Sequence, residues 1–197
     1  MIETITKERI IHLISELYSS LTDNCKADFA LLSEIKLYEK STLFVKENHK
    51  ADHMYFVVKG CIRAFYTKDD RTITDWFAFE NEFISSVDAF FTGVPSTMSM
   101  EALEDLVVLE ISREDVEKLS NAHCDFDRMG RIAITHTVLK LRRRITELQF
   151  ETAQQKYDSL LAYRPDIIQR VALTHIASYL GMSLETLSRV RNPKNRI

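Results

Sequence analysis

One glutamate and one arginine near the carboxyl end are spaced so that they could read DNA bases. Glu185 and Arg189 are four residues apart in "SLETLSRVR", so a helix would place them on one face. A glutamate accepts a hydrogen bond from the cytosine amino group, and an arginine donates two to O6 and N7 of guanine. The pair therefore indicates contacts to base edges in a major groove. The alternative is an ordinary helix with an ion pair between these two side chains.

The residues around this pair have the spacing of a helix-turn-helix. Ala177 stands four residues before Gly181, and Leu187 stands six residues after it. Alanine lets two helices approach closely, glycine permits the positive φ of a tight turn, and the leucine fixes the second helix over the first. Ser183 is the predicted N-cap of that second helix. The predicted base and phosphate contacts are Ser183, Leu184, Glu185, Ser188, Arg189, Arg191, Lys194 and Arg196, with Arg170 as a further phosphate contact.

A second stretch, "FISSVDAFFTGVPST" at residues 83–97, has the shape of a loop that holds a nucleotide phosphate. It contains no arginine, no lysine and only one glycine, so a bound phosphate would have no cationic partner there. The stretch therefore predicts an apolar pocket for a less charged effector, and the alternative is that its side chains only fill the core. The predicted pocket residues are Ser85, Ser86, Phe90, Ser96, Thr97 and Met98.

The two parts of the chain carry opposite charge. The net charge of the 197 residues is −3, yet the part up to Asp127 has 13 Lys+Arg against 24 Asp+Glu, and the part from Arg128 has 13 against 5. A basic excess favours a polyanionic partner, most simply nucleic acid. The charge pattern predicts an acidic front with another task and a basic back that meets DNA. The alternative is that charged residues are unevenly distributed over the surface of a single fold, with no functional consequence.

Strand patterns precede helix patterns along the chain. From about Leu37 to Ile111, short β-branched and aromatic pieces such as "HMYFVVKGCIRAFYT" are separated by turn-forming or charged breaks, which predicts an antiparallel sandwich or roll. Ser112 and Asp115 then form the capping-box start of a helix. The first twenty residues predict an amphipathic helix and not a signal peptide. No segment approaches the ~20 consecutive apolar residues of a membrane span.

A long helix with a narrow apolar seam is predicted from Arg128 to about Tyr157. The seam residues alternate at spacings of four and three, as in a coiled coil. They are Ile134, Val138, Leu141, Ile145, Leu148 and Thr152. So narrow a seam favours a parallel homodimer, and the alternative is a helix that lies against its own β domain.

Other reactive groups indicate no metal, cofactor or catalytic site. Cys25, Cys61 and Cys124 are odd in number and far apart, which argues against a disulfide framework or a zinc knuckle and favours a reducing cytoplasm. "HKADH", with His49 and His53, is more typical of a polar loop than of a metal site. No phosphate-binding glycine loop or nucleophile elbow is present, so an enzyme is not expected.

Taken in order, "MYFVVKGCIRAFY", "MEALEDLVVLEI", the long helix and "IASYLGMSLETLSRVR" resemble the Crp/Fnr family of bacterial transcription regulators, particularly short members common in Bacteroidetes. The resemblance covers about Leu37 to Arg191. It implies an α+β fold: an antiparallel β roll (jelly roll) of the cyclic-nucleotide-binding type, a dimerisation helix and a helix-turn-helix that recognises an inverted repeat with TTGA- or TGTGA-like half-sites. The run that opens the family's recognition helix, Glu-Thr-x-Ser-Arg, stands here from Glu185 to Arg189.

Two departures from the family pattern change what the resemblance implies. Members that bind cyclic AMP use a glycine and a glutamate for the ribose, and an arginine followed by a hydroxyl residue for the phosphate. The matching positions here are Ser85 and Ser86, then Ser96 and Thr97, so cyclic AMP should bind weakly or not at all. The β wing that usually follows the recognition helix is also not expected.

The expected division is a sensor domain at 1–127, a dimerisation helix at 128–157 and a helix-turn-helix domain without a full wing at 158–197. The expected function is a homodimeric, cytoplasmic, DNA-binding transcription regulator with an unidentified small-molecule effector, and RNA polymerase is a candidate partner. The alternative is a ligand-sensing or protein-interaction module of the same fold that does not bind DNA.

Overall fold

Two four-stranded antiparallel sheets form the amino-terminal part of the molecule. The computed structural model describes residues 5–69 and 71–192. The strands are β1 (Ser33–Tyr38), β2 (Leu43–Val45), β3 (His53–Lys59), β4 (Ile62–Lys68), β5 (Arg71–Ala78), β6 (Phe83–Ile84), β7 (Ser99–Ala102) and β8 (Leu106–Ser112). One sheet has the order β1-β8-β3-β6 and the other β2-β7-β4-β5, with antiparallel pairing throughout. The predicted antiparallel roll is confirmed.

Alternate side chains of β8 are buried in two different hydrophobic cores, one on each face of the strand. Val108 points between the two sheets, where it shares a buried core with Met100. Leu109 and Ile111 belong to a second core on the outer face of the sheet, together with Phe29 from a helix. Because successive strand side chains point to opposite faces, one strand is buried on both sides and holds the roll against the helices outside it.

Nine helices surround and follow the sheets in the described residues. They are α1 (Lys7–Leu17), α2 (Asp23–Leu32), α3 (Val87–Thr92), α4 (Arg113–Ala122), α5 (Cys124–Phe150), α6 (Ala153–Tyr163), α7 (Ile167–Arg170), α8 (Leu173–Tyr179) and α9 (Leu184–Arg191). The predicted amphipathic helix at the amino end is α1, whose Ile10, Ile11 and Ile14 are buried. Ser112 caps α4 as predicted, since its hydroxyl accepts from Asp115 N at 3.1 Å. None of these helices is both long and apolar enough to cross a bilayer.

The long helix has different ends from those predicted. Helix α5 runs from Cys124 to Phe150, whereas the sequence pattern suggested residues 128–157. Thr152, the last predicted seam residue, lies beyond the helix and caps α6 instead. Its Oγ1 accepts from Gln155 N at 3.3 Å, and Gln155 Oε1 accepts from Thr152 N at 2.9 Å. This capping box requires extended backbone at its start, so it ends α5 and begins a new helix.

The carboxyl-terminal helices pack directly on the β4–β5 sheet. Phe77 and Phe79, at the end of β5 and just after it, share a buried core with Ile176 and Leu180. Ser178 on α8 accepts a hydrogen bond from the backbone N–H of Thr74 at 2.9 Å. These contacts fix the position of the two carboxyl-terminal helices against the roll.

Candidate nucleic-acid interface and effector pocket

Helices α8 and α9 form the predicted helix-turn-helix. Gly181, between them, has φ +65°, the left-handed conformation that favours glycine. Ala177 is 3% exposed and Leu187 is fully buried, so the small residue and the leucine both lie at the contact between the helices. Ser183 caps α9, since its Oγ accepts from Thr186 N at 3.2 Å. The local geometry agrees with each role that the sequence suggested for these four residues.

One face of α9 is polar and open to solvent. Ser183, Leu184, Glu185, Ser188 and Arg189 are exposed, while Arg191 is half-buried. The hydrogen bond with Ser183 and the helix backbone keep the pKa of Glu185 below its ordinary value, with a smaller contribution from the charge of Arg189. The glutamate therefore remains an acceptor at neutral pH. Lys194 and Arg196 lie outside the described residues.

The Arg189 guanidinium points back towards the first turn of α9, where Thr186 lies. Its Nη2 donates to Thr186 Oγ1 at 3.3 Å, a long hydrogen bond between exposed groups. Exchanging such a bond for one to a ligand costs little, because both groups are already in contact with water. The side chain can therefore turn outward to donate to a base edge.

Arg170 is not placed as a phosphate contact. Its guanidinium donates to both oxygens of Glu80, at 2.9 and 2.7 Å, and to both oxygens of Glu104, each at 2.8 Å. Asp166 lies 3.2 Å away. Burial opposes ionisation of Glu80, but the hydrogen bonds from Arg170 and from Gly60 N lower its pKa to about 2. Arg170 thus joins α7 to the roll, and this prediction from the sequence is wrong.

Other basic residues of the carboxyl-terminal part also pair with the roll. Lys140 on α5 contacts Glu82 at 2.5 Å, and Tyr163 donates to the same carboxylate at 2.9 Å. The Arg144 guanidinium contacts α8, at 3.8 Å from the centroid of the Tyr179 ring and 3.0 Å from the Tyr179 carbonyl, and it also donates to the Thr74 carbonyl of the roll at 3.5 Å. Part of the opposite charge of the front and the back is therefore used to dock one on the other.

The predicted seam is mostly exposed along α5. Its five helical residues, Ile134, Val138, Leu141, Ile145 and Leu148, are 40–56% exposed. Leu148 also lies near the helix-turn-helix, because its Cδ2 would be 3.4 Å from a Cβ added at Gly181. A row of large apolar side chains is thus in water over much of the helix.

The side-chain hydroxyls of Ser86 and Ser96, both in the 83–97 stretch, form a hydrogen bond with each other and do not face a pocket. The Oγ atoms of Ser86 and Ser96 are 2.8 Å apart, and each residue is 1% exposed. Ser96 also donates to the Met98 carbonyl at 2.6 Å. Thr97 is exposed, with its Oγ1 3.4 Å from Asp88. The closed pair forms because a buried hydroxyl is costly without a partner, and two small side chains lie within reach of each other.

A cavity of about 420 Å³ opens between the β4–β5 sheet, α3 and α5. Of the residues expected at an effector pocket, Ser85 and Met98 line this cavity, whereas Ser86, Phe90, Ser96 and Thr97 do not. Phe90 is buried in the core, and its neighbour Phe91 reaches the cavity instead. The other lining residues include Ala64, Asp75, Trp76, Phe83, Ile84, Val87, Met129, Ile134, Thr137, Val138 and Leu141.

The charged residues of this cavity are Asp75, Asp127 and Arg131. Arg131 Nε is 3.4 Å from Asp127, which neutralises both charges in part. Burial raises the pKa of Asp75 above its ordinary value, although the charge of Arg144 opposes the shift. Sequence reasoning missed Asp75 and Trp76, since an acidic residue within "TITDWFAF" looks like any solvated strand position.

The "HKADH" stretch behaves as a polar loop. Asp52 pairs with Lys50 at 2.5 Å and with His53 Nδ1 at 3.1 Å, and the His49 ring contacts the Glu47 carbonyl at 2.9 Å. Within residues 5–69 and 71–192 these groups do not gather into a cation site.

Residues 35–123 match the family model described as "Cyclic nucleotide-binding domain". Comparison with curated proteins gives no match. Among solved structures, FixK2 from Bradyrhizobium japonicum is 22% identical with a TM-score of 0.62, over 80% of this chain and 82% of that one. The c-di-GMP responsive global regulator CLP of Xanthomonas campestris is 18% identical with a TM-score of 0.65, over 86% and 89%. The catabolite activator protein of Thermus thermophilus is 18% identical with a TM-score of 0.55, over 87% and 82%.

The molecule therefore has the fold of the Crp/Fnr-family regulators, with a cyclic-nucleotide-binding-type roll followed by helices. The family resemblance seen in the sequence is confirmed at the level of the fold.

Proposed function

We propose that the chain is a DNA-binding transcription regulator of the Crp/Fnr type. The observation that carries the proposal is helix α9, which is capped by Ser183, buried on its Leu187 side and open to solvent on its Glu185 and Arg189 side. A helix held in this way by a turn can enter a major groove with its first turns facing base edges. In this proposal Glu185, Ser188 and Arg189 read TTGA- or TGTGA-like half-sites.

Phosphate contacts would supply the rest of the affinity. Arg191 at the end of α9 is a candidate, as are Lys194 and Arg196 beyond the described residues, with Ser183 and Leu184 at the helix start. Such contacts position a protein on the duplex without reading its sequence. Arg170 is not among them, because four carboxylate oxygens of the roll already surround it.

Pairing of two copies through α5 completes the proposed regulator. The exposed seam residues of one helix would pack against those of a second, parallel helix, which removes apolar surface from water. A two-fold axis along α5 would place two recognition helices about 34 Å apart, one turn of DNA. An inverted repeat is the operator that matches this symmetry.

The proposed effector is an apolar small molecule that is neutral or cationic. The cavity lining is mainly apolar, its one arginine is paired with Asp127, and Asp75 adds an acidic group. A phosphate placed there would face Asp75 with no unpaired cation among the lining residues. Because Val138 and Leu141 belong to both the cavity wall and the seam, a ligand would act through the arrangement of the helix pair.

Cyclic AMP provides the test of the effector proposal. A calorimetric titration of the purified protein with cyclic AMP and cyclic GMP should give no heat of binding under adequate sensitivity. Micromolar binding would contradict the electrostatic argument and would mean that backbone amides and serines replace the missing arginine.

The proposed setting is the cytoplasm, with RNA polymerase as a candidate partner and without catalytic activity. The relatives in fold whose names state a role are a regulator and an activator. A regulator needs differential binding and no reacting groups.

Replacing Arg189 tests the base contacts directly. We expect Arg189→Ala to lose about 1–3 kcal/mol of discrimination at one base pair of each half-site, as when a bidentate arginine–guanine contact is removed. The measurement is binding to duplexes selected from randomised inverted repeats. Arg9→Ala on α1, which removes the same charge from a distant exposed position, should leave the preference intact. An unchanged preference in Arg189→Ala would contradict the assignment of α9 as the recognition helix, and absence of binding to any duplex would support a ligand-sensing module that does not bind DNA.

A further inference from the structure

A thiol, an imidazole and a carboxylate meet where α2 contacts the start of α5. The Sγ of Cys25, a ring nitrogen of His123 and a carboxylate oxygen of Asp125 all lie within 4.8 Å of one another. Cys25 is in the first half of α2, His123 precedes α5, and Asp125 is in its first turn. None of the three lines the cavity or belongs to the proposed DNA-binding face.

The donor set suits a zinc-class cation. Zinc binds thiolate, imidazole and carboxylate in tetrahedral sites, with bonds of about 2.0–2.3 Å that place neighbouring ligand atoms about 3.5 Å apart. The three atoms would therefore have to move about 1 Å towards a common centre. A thiolate also disfavours magnesium and calcium, which take oxygen ligands.

Neighbouring groups already hold two of the three side chains. Asp28 Oδ2 lies 2.8 Å from His123 Nε2, so this carboxylate orients the ring and leaves the other nitrogen available. Asp125 Oδ2 accepts from Thr22 N at 2.6 Å, and its Oδ1 accepts from Phe126 N at 3.1 Å. The Cys25 thiol and the Thr22 hydroxyl also hydrogen-bond to this carboxylate, so a cation would take the place of the thiol proton between Cys25 and Asp125.

The cluster is shielded on one side and accessible on the other. Cys25 is fully buried and Asp125 is 9% exposed. The His123 side chain is 15% exposed and that of Asp28 is 54% exposed. A cation could thus approach from the side of Asp28 and His123, with the buried thiol of Cys25 behind them.

We propose that Cys25, His123 and Asp125 bind one zinc-class divalent cation, with Asp28 orienting the imidazole. The bound cation would tie α2 to the base of α5, the helix on which dimerisation is proposed to depend. This site could not be predicted from the sequence, because the paired residues Asp28 and His123 are 95 positions apart. The cysteine spacing alone argued against zinc.

Cobalt(II) is the probe for this site, because a thiolate ligand gives it a near-ultraviolet charge-transfer band. The full chain, stripped with a chelator, should bind one equivalent with that band, and zinc should displace it. Cys25→Ser should abolish the band. His123→Asn and Asp28→Asn should each weaken binding about tenfold or more. Cys124→Ser is the matched control, since it removes the adjacent exposed thiol and should leave the titration unchanged.

Zinc should also raise the Tm of the wild type and of Cys124→Ser, but not that of Cys25→Ser. The proposal fails if no thiolate band forms, if the band survives in Cys25→Ser, or if it disappears in Cys124→Ser. Should Cys25→Ser not fold, His123→Asn decides the question, and an unchanged cobalt affinity in that variant overturns the site.

Discussion

Arg170 shows at the residue scale that a cation near a DNA-binding element can serve the fold instead. In the sequence it stands among basic residues that precede the helix-turn-helix, as a phosphate contact would. In the structure Glu80 and Glu104 accept four hydrogen bonds from its guanidinium, and Asp166 accepts a fifth. Hydrogen bonds to these two carboxylates raise its pKa further, with Glu104 as the larger cause.

Arg170→Ala should therefore act on stability and not on DNA binding. Removing the guanidinium leaves Glu80 and Glu104 facing each other in a partly buried position. We expect a loss of about 1–3 kcal/mol in the free energy of unfolding, less than for a fully buried pair because these side chains keep some contact with water. Urea denaturation measures the loss.

Arg191→Ala is the matched comparison for this prediction. It should weaken DNA binding uniformly across sequences and leave the urea midpoint nearly unchanged, since Arg191 is a proposed phosphate contact. If Arg170→Ala reduced the salt dependence of DNA binding while Arg191→Ala destabilised the fold, the two assignments would have to be exchanged.

Local residue signals were enough to predict the helix-turn-helix. Ser183 as a cap, Gly181 at positive φ and Leu187 as the buried contact each depend on a few neighbouring residues, so their roles can be recognised in the sequence. The Ser86–Ser96 pair could not be predicted in this way. Its geometry depends on how the nine intervening residues fold, and the matching positions of the family suggested open ligand groups instead.

Among the elements, α5 was predicted from the sequence as a helix, but its ends were not. The spacing of four and three was correct up to Leu148, but the same spacing continued to Thr152 and concealed the break at Glu151. Hydrophobic periodicity cannot reveal a capping box, because the residues that form the box are polar. Here Thr152 and Gln155 hydrogen-bond to each other's backbone, which ends α5 and starts α6. The existence of the helix could therefore be predicted from the sequence, whereas its two ends were known only from the structure.

Ile145→Asp tests the seam of α5 as an interface between copies. Ile145 is 54% exposed in the single chain and does not line the cavity, so the change should not harm the fold of the subunit. We expect the dissociation constant of the dimer to rise at least tenfold, because two isoleucines that would be buried in the interface are replaced by two facing charges. Sedimentation equilibrium measures the effect.

Thr146→Asp is the control for the seam. It introduces the same charge one position along, on a different face of the helix, where the residue is exposed. It should leave the association unchanged. Equal behaviour of the two variants would indicate that α5 does not pair through the predicted seam.

At the scale of the whole molecule, the charge division has two consequences. The acidic roll and the basic helices attract each other, and Glu80, Glu82 and Glu104 pair with cations of the carboxyl-terminal part. The α9 face that carries Arg189 is exposed to solvent. Only a fraction of the +8 charge from Arg128 onward is thus available to DNA, which predicts fewer phosphate contacts than the sequence total suggests.

A salt titration is the first measurement of whether this molecule binds duplex DNA through α9. Binding of the purified protein to a selected inverted-repeat duplex would be followed by fluorescence anisotropy as the salt concentration is raised. We predict tight binding at low salt, with the logarithm of the association constant falling linearly with the logarithm of salt concentration at a slope of about −0.9 per neutralised phosphate. Absence of binding at low salt, or an affinity that does not respond to salt, would contradict the assignment.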